Sequence, residues 1–235
     1  MTTDLIITTI EVSHFAQNAR IIRCPQTQDT IIIDPGENAT LLAKQANAET
    51  NPIHTIFLTH CHIDHGGAVQ DLLNLLSKQP SPPELIYHSN EIPIANAIEP
   101  YAEALGLPPI YKNVPPATQW ADSLSTLKVG NKTAKILFTP GHSPGHLSLY
   151  FDSLSVELQT STSTESVTCP ILIAGDALFR DSIGRTDLPL ADHNTLLTSI
   201  KNQLFTLPES TLVLSGHGPT TTIGHEKKHN PFINE

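Results

Sequence analysis

The chain has 235 residues, 39% of them hydrophobic, and 13 Lys+Arg against 23 Asp+Glu give a formal net charge of -10. That length suits one large domain or two small ones, and no linker-like stretch divides it, so a single domain over 1–235 is expected. The acidic balance argues against nucleic acid or an anionic membrane as partner, no apolar run approaches a membrane span, and Met1-Thr-Thr-Asp4 lacks the basic start of a signal peptide. Three scattered cysteines, Cys24, Cys61 and Cys169, form no disulfide framework and fit a reducing cytoplasm.

Short apolar runs bounded by turn-forming residues predict opening strands at Leu5–Ile10, Ala19–Arg23 and Thr30–Ile33. Asp34-Pro35-Gly36 then turns the chain, and a modest helical pattern covers Asn38–Ala48. Ile53–Thr59 reads as a strand. Behind it, Ala68, Val69, Leu72, Leu73, Leu75 and Leu76 form one face of an amphipathic helix, with Gly66-Gly67 at its start. Leu85–His88 is a further short strand. Asn90–Gly106 is helical but interrupted by Pro93 and Pro100, and Leu107–Pro116, with four prolines, is an irregular surface loop. Ser125–Val129 and Thr133–Phe138 flank a hairpin turn at Gly130-Asn131. The Ser/Thr-rich stretch Ser153–Thr168 reads as an extended loop or hairpin inserted between two strands. Asp192–Phe205 is a helix that Asp192 can cap. Strands and helices alternate in both halves, which supports an α/β class.

Four of these strands hand over to metal-ligand residue types. After Ile53–Thr59 comes His-x-His-x-Asp-His, contributing His60, His62, Asp64 and His65. The run Lys135–Gly141 ends at His142, Ile171–Gly175 at Asp176, and Thr211–Gly216 at His217. If the strand ends align, all seven side chains meet at one edge. Seven imidazoles and carboxylates are too many for one tetrahedral ion, but they suit two ions bridged by a carboxylate. Cys61 lies between two ligands, so its side chain points away from the metals.

Thr59-His-Cys-His-Ile-Asp-His65, Thr139-Pro-Gly-His-Ser-Pro-Gly-His146, Ala174-Gly-Asp176 and Ser215-Gly-His217 resemble the motifs of metallo-β-lactamase-fold hydrolases. Within that superfamily they are similar to the glyoxalase II group. Leu178–Pro189 and Gly216–Phe232 resemble the short bacterial, single-domain glyoxalase II (hydroxyacylglutathione hydrolase)-like proteins. The resemblance implies an αββα sandwich of two mixed β-sheets with outer helices and the metal site at one sheet edge. It implies that His60, His62 and His142 bind one divalent ion, that Asp64, His65 and His217 bind the second, and that Asp176 bridges them. Zinc is the expected metal, with iron or manganese as options.

On the same basis Asp64 and Asp176 are the catalytic carboxylates, and Asp34 and His146 orient ligands through hydrogen bonds. Arg185 is the substrate-contact candidate, and its other role would be pairing with Asp181 or Asp187. The implied reaction is hydrolysis of a small-molecule thioester, S-D-lactoylglutathione to D-lactate and glutathione, by a hydroxide shared between the ions. The alternatives are a single-iron persulfide dioxygenase, which resembles the chain at Gly184-Arg-Thr-Asp187, and a hydrolase of other thioesters or lactones. Only 18 residues follow His217, too few for the C-terminal helical domain of longer glyoxalase II enzymes.

Overall fold

The computed structural model describes residues 2–47 and 51–233. Its first sheet contains β1 (Leu5–Val12), β2 (Gln17–Arg23), β3 (Thr30–Ile33), β4 (Ile53–Phe57), β5 (Glu84–Tyr87) and the short β6 (Gln119–Trp120), side by side in that order. The second contains β7 (Thr126–Val129), β8 (Lys132–Phe138), β9 (Leu147–Gln159), β10 (Thr164–Gly175), β13 (Leu212–Ser215) and β14 (Thr221–Thr222). A small hairpin of β11 (Leu178–Phe179) and β12 (Ser182–Ile183) stands apart.

The long strand β9 joins the two sheets. Its first part pairs with β8 through Leu147–Tyr150, and its end pairs with β1 through Val156–Gln159. The two expected sheets therefore form one hydrogen-bonded ladder that folds over on itself. The Ser/Thr-rich stretch is the tip of the β9–β10 hairpin, the second of the two expected forms. Both sheets are mixed: β1, β2 and β3 are antiparallel and β3, β4, β5 and β6 parallel in the first, while β8, β9 and β10 are antiparallel and β10 is parallel to β13 in the second.

Strand alternation distributes the apolar residues among three cores. Ile31 and Ile33 face inward between the sheets with Ile7, Phe57, Phe151 and Ile173. Ile32, on the opposite face of the same strand, packs under α1 (Ala39–Gln45), α3 (Val69–Leu76) and α5 (Ile98–Ala104). On the far side, Leu172 and Val213 pack under α6 (His193–Ser199) and α7 (Ile223–His229). The four layers are helix, sheet, sheet, helix.

Several helices differ from expectation at their ends. The first was expected to reach Ala48, which lies outside the described residues; α1 ends at Gln45. The Asn90–Gly106 segment breaks at Asn96-Ala97 rather than at its prolines, into α4 (Ile92–Ala95) and α5. Pro93 and Pro100 sit in the first turns of these helices, where a backbone N–H has no intrahelical acceptor to lose. The Asp192 side chain caps α6 by accepting from Thr195 N at 2.7 Å, and the helix then widens into a π-turn over Ile200–Leu204. The C-terminal ends of β4, β8, β10 and β13 all open on the same edge of the sandwich.

Candidate metal centre

The seven candidate ligands converge at that edge. His62 caps the four-residue helix α2 (Ile63–Gly66), which carries Asp64 and His65. The backbone of this turn lies so close to the loop after β3 that a Cβ at Gly36 would overlap the Asp64 carbonyl, so only glycine fits there. Across the site, a Cβ at Gly216 would overlap the Asp176 carboxylate. These two glycines allow the ligand loops to approach one another.

Each ring is oriented from outside. His60 Nδ1 lies 3.0 Å from Thr59 Oγ1, His65 Nδ1 3.0 Å from Asp34 Oδ2, His142 Nδ1 2.8 Å from the Arg185 carbonyl, and His217 Nδ1 2.9 Å from the Phe15 carbonyl. Their Nε2 atoms are left facing inward. An imidazole fixed in this way presents a single nitrogen in a set direction. The inward atom His60 Nε2 is buried with no polar partner, and buried His65 Nε2 and Asp176 Oδ1 face each other as an ion pair at 3.3 Å with no further hydrogen bond, which is costly unless something else meets them. His62 Nδ1 points at His142 Nε2 across 3.0 Å, and His217 Nε2 lies 3.1 Å from Asp64 Oδ2 and 3.5 Å from Asp176 Oδ2.

Three overlapping sets result: His60, His62 and His142; His60, His65 and Asp176; Asp64, His65 and His217. Within each set the ligand atoms lie within 4.8 Å of one another. Imidazole nitrogen and carboxylate oxygen atoms converging at this spacing fit borderline divalent ions.

The electrostatics divide the site in two. Burial, reinforced by the His142 charge, drives His62 down to about 3. Burial first, then the neighbouring rings, pushes His60 well below the usual imidazole range. Both rings are therefore neutral, as ligation requires. On the other side, burial disfavours the charged form of His65, but Asp176, Asp64 and Asp34 outweigh it and hold its pKa well above normal. Burial disfavours ionised Asp64 and Asp176, but His65 and His217, with His142 for Asp176, outweigh it and hold both below the usual carboxylate range. This half of the site therefore concentrates negative charge in a dry setting.

The two orienting residues expected from the sequence do hold ligand loops. Asp34, with a left-handed backbone (φ 52), accepts from Thr59 N and Thr59 Oγ1, both at 2.7 Å, as well as contacting His65. His146 bridges Thr139 Oγ1 at 2.8 Å and the Asp176 backbone N–H at 3.0 Å.

Two further residues had escaped the sequence reading. Glu91 is fully buried, and its carboxylate accepts from Cys61 N at 2.8 Å and Gly145 N at 2.6 Å, tying the His60–His65 loop to the His142–His146 loop. Burial raises its pKa, although both N–H donors favour the anion. Arg20, also buried, donates from Nη2 to the Ser215 carbonyl at 2.7 Å and fixes the strand end that delivers His217. A charged residue inside the apolar strand Ala19–Arg23 was a signal for Arg20. Glu91 offered none, because its partners are backbone groups distant in sequence.

The centre forms the floor of a cleft of about 500 Å³. Ile94, Ile98 and Tyr101 line one side, and Ile183, Leu188 and Leu190 the other. Arg185 stands at its rim, 63% exposed, with Nε and Nη2 on the two oxygens of Asp187 at 2.7 and 2.8 Å. The Asp187 pairing considered for it is thus present, whereas Asp181 instead meets His225 at 2.6 Å. Cys61 is buried in the helix-side core, and its thiol pKa is pushed well up, by burial above all.

With this geometry in hand, the comparisons with known proteins are direct. The family model described as Metallo-beta-lactamase superfamily matches residues 13–156 and 159–217, and the chain belongs to that superfamily. The hydroxyacylglutathione hydrolase GloC of Haemophilus influenzae is 34% identical over 228 residues, covering 96% of each chain. The solved structure of the BLEG-1 B3 metallo-β-lactamase superposes with a TM-score of 0.79 at 33% identity, covering 97% of this chain and 100% of that one. TTHA1623, solved in a di-iron-bound form, gives a TM-score of 0.75 at 30% identity over 95% and 98% of the two chains. Among the described residues, no helix is long and apolar enough to cross a membrane.

Proposed function

We propose that this metallo-hydrolase is a dinuclear enzyme that cleaves a thioester. The observation that carries the reading is the convergence of seven donors around the buried, unpartnered His60 Nε2 and the buried His65 Nε2–Asp176 Oδ1 pair. His60, His62 and His142 would hold one divalent ion, Asp64, His65 and His217 the other, and Asp176 would lie between them. Zinc, iron and manganese all suit this mixed donor set, and a di-iron form exists in the TTHA1623 relative. Ions bound here supply Lewis-acid polarisation of a carbonyl and a water of lowered pKa. A single-iron persulfide oxygenase needs two histidines and one aspartate, so it would leave half of this furnished site without a purpose.

The protein's own groups act by holding that centre. Asp34 keeps the His65 ring turned inward, His146 fixes the Asp176 backbone, and the Arg185 carbonyl does the same for His142. The apolar cleft walls limit water around the scissile bond, which strengthens every charge interaction beneath it. A thiolate leaves readily, so thioester cleavage needs little help from a general acid. The 34% identity to GloC supports the thioester class and makes S-D-lactoylglutathione the first substrate to test. The free thiols of Cys24, Cys61 and Cys169 fit a reducing cytoplasm as the place of work.

The test is thiol release from S-D-lactoylglutathione, yielding D-lactate and glutathione, by protein whose metal content has been measured at two ions per chain. Turnover supports the proposal. No thiol release from this or other thioesters, with both ions bound, would reject it in favour of a lactone or other ester.

A further inference from the structure

The walls of the cleft carry information that the floor does not. Ile98 starts one wall directly at the ligand loop, because a Cβ at Gly66 would lie 3.4 Å from Ile98 Cδ1. Ile183 starts the other, one residue before Gly184, whose Cβ position lies 3.0 Å from His142 Nδ1. Both residues are buried. A substituent on a carbonyl held above the donors therefore runs between hydrocarbon surfaces from its first atom. Further out, Tyr101 is 43% and Leu190 58% exposed, so the apolar lining continues to the rim. Large apolar side chains left bare at the mouth of a site mark a surface that a ligand covers.

The charged lining points the same way. Arg185 is the only Lys or Arg that lines the cleft among the described residues, and Asp187 already occupies its guanidinium fork. Lys227 and Lys228, on α7, line no part of it. The remaining formal charges of the lining are Asp64 and Asp176, which belong to the metal positions. A glutathionyl group, with two carboxylates, meets a single side-chain cation at the rim, already paired with Asp187, whereas a hydrocarbon chain finds contacts along the walls.

We propose that the cleft is an acyl-chain site, and that the preferred substrates are thioesters of aliphatic acids longer than lactate. This deepens the thioester-hydrolase reading above and rests on it. Each methylene buried between the walls should raise kcat/KM about three- to fourfold until the chain reaches the rim.

The experiment uses the full chain loaded with two metal ions. It measures kcat/KM for N-acetylcysteamine thioesters from acetyl to decanoyl, alongside S-D-lactoylglutathione. The expected result is a climb of about threefold per methylene over at least the first several members, passing S-D-lactoylglutathione, with a flattened slope in Ile94→Asn. The slope is a ratio within one protein, so partial loss of folded material in the variant divides out. A flat series with S-D-lactoylglutathione hydrolysed faster overturns the acyl-chain site and leaves the thioester hydrolase standing. A climb that Ile94→Asn does not alter overturns the assignment to this cleft. No thiol from any substrate, with both ions bound, overturns the acyl-chain site and the thioesterase together.

Discussion

The floor of the cleft and its walls are built on opposite principles. On the floor, the ligands are held from behind: His142 by a backbone carbonyl, His65 by Asp34 and the Asp176 backbone by His146, while the inner atoms converge. On the walls, Tyr101 and Leu190 are half-exposed hydrocarbon held by packing alone. The floor is over-determined and the walls are replaceable. Chemistry and substrate choice can therefore change independently, as they do among proteins sharing this fold. The sharpest way to break the floor is Asp176→Ala. Among the described residues, it removes the only carboxylate in contact with His65, His142 and His217 at once. The protein should lose the two-ion state, and activity should fall by about 10³-fold or more. Metal analysis showing two ions per chain in the variant would refute the bridging role.

Glu91 tests whether the floor depends on support that is not itself part of it. Its carboxylate offers two acceptors to two backbone N–H groups, so Glu91→Gln turns one acceptor into a donor facing a donor. Supporting residues of this kind are worth about 10–100-fold in metal affinity or activity. Competition with a chromogenic chelator should show a loss on that scale in Glu91→Gln, with near-wild-type circular dichroism at room temperature. A lowered melting temperature with unchanged chelator competition would make Glu91 a fold-stabilising residue and nothing more.

The same contrast explains what was legible in the sequence. Ligands of the floor follow strand ends and tight turns, so His60, His142, Asp176 and His217 could be read from local pattern, and Asp34 and His146 from their place beside it. The first five strands of the first sheet were legible, Thr30–Ile33 because Ile31, Ile32 and Ile33 must serve two cores on alternate faces, whereas the two-residue β6 carries no pattern of its own. What was hidden depends on contacts between distant segments. Glu91 recognises backbone at Cys61 and Gly145, and the joining of the two sheets depends on β9 changing partner along its length. The walls were hidden too, since Ile94, Ile183 and Leu190 look like ordinary apolar residues until the fold brings α4, β12 and the loop before α6 to one cleft.

Arg185 belongs to the rim, and its effect should be smaller. An exposed ion pair such as that with Asp187 is screened by water and holds its partners weakly. Arg185→Ala should raise KM for glutathione thioesters a few-fold and leave kcat nearly intact. Asp187→Asn sharpens the point, because it releases the guanidinium and should lower the same KM. If neither variant changes KM, the pair is structural and glutathione is not read at this position.

The smallest expected effect is that of Cys61→Ala, which asks whether a thiol lodged between two ligands shares their task. Its sulfur is buried in the helix-side core with Leu58, Ile63 and Val69, away from the cleft. The nucleophilic form of cysteine is the thiolate, and here burial, then the charges of Glu91 and Asp34, raises the pKa well above that of a free thiol. The truncation removes one buried heavy atom, so the protein should lose about 1 kcal/mol of stability. Metal content and kcat should be unchanged, because the Cys61 backbone N–H that Glu91 holds is still present. A loss of turnover on the scale of the Asp176 variant, with both ions retained, would bring the thiol into the reaction. Unchanged turnover would confine the loop's contribution to its three imidazoles and one carboxylate.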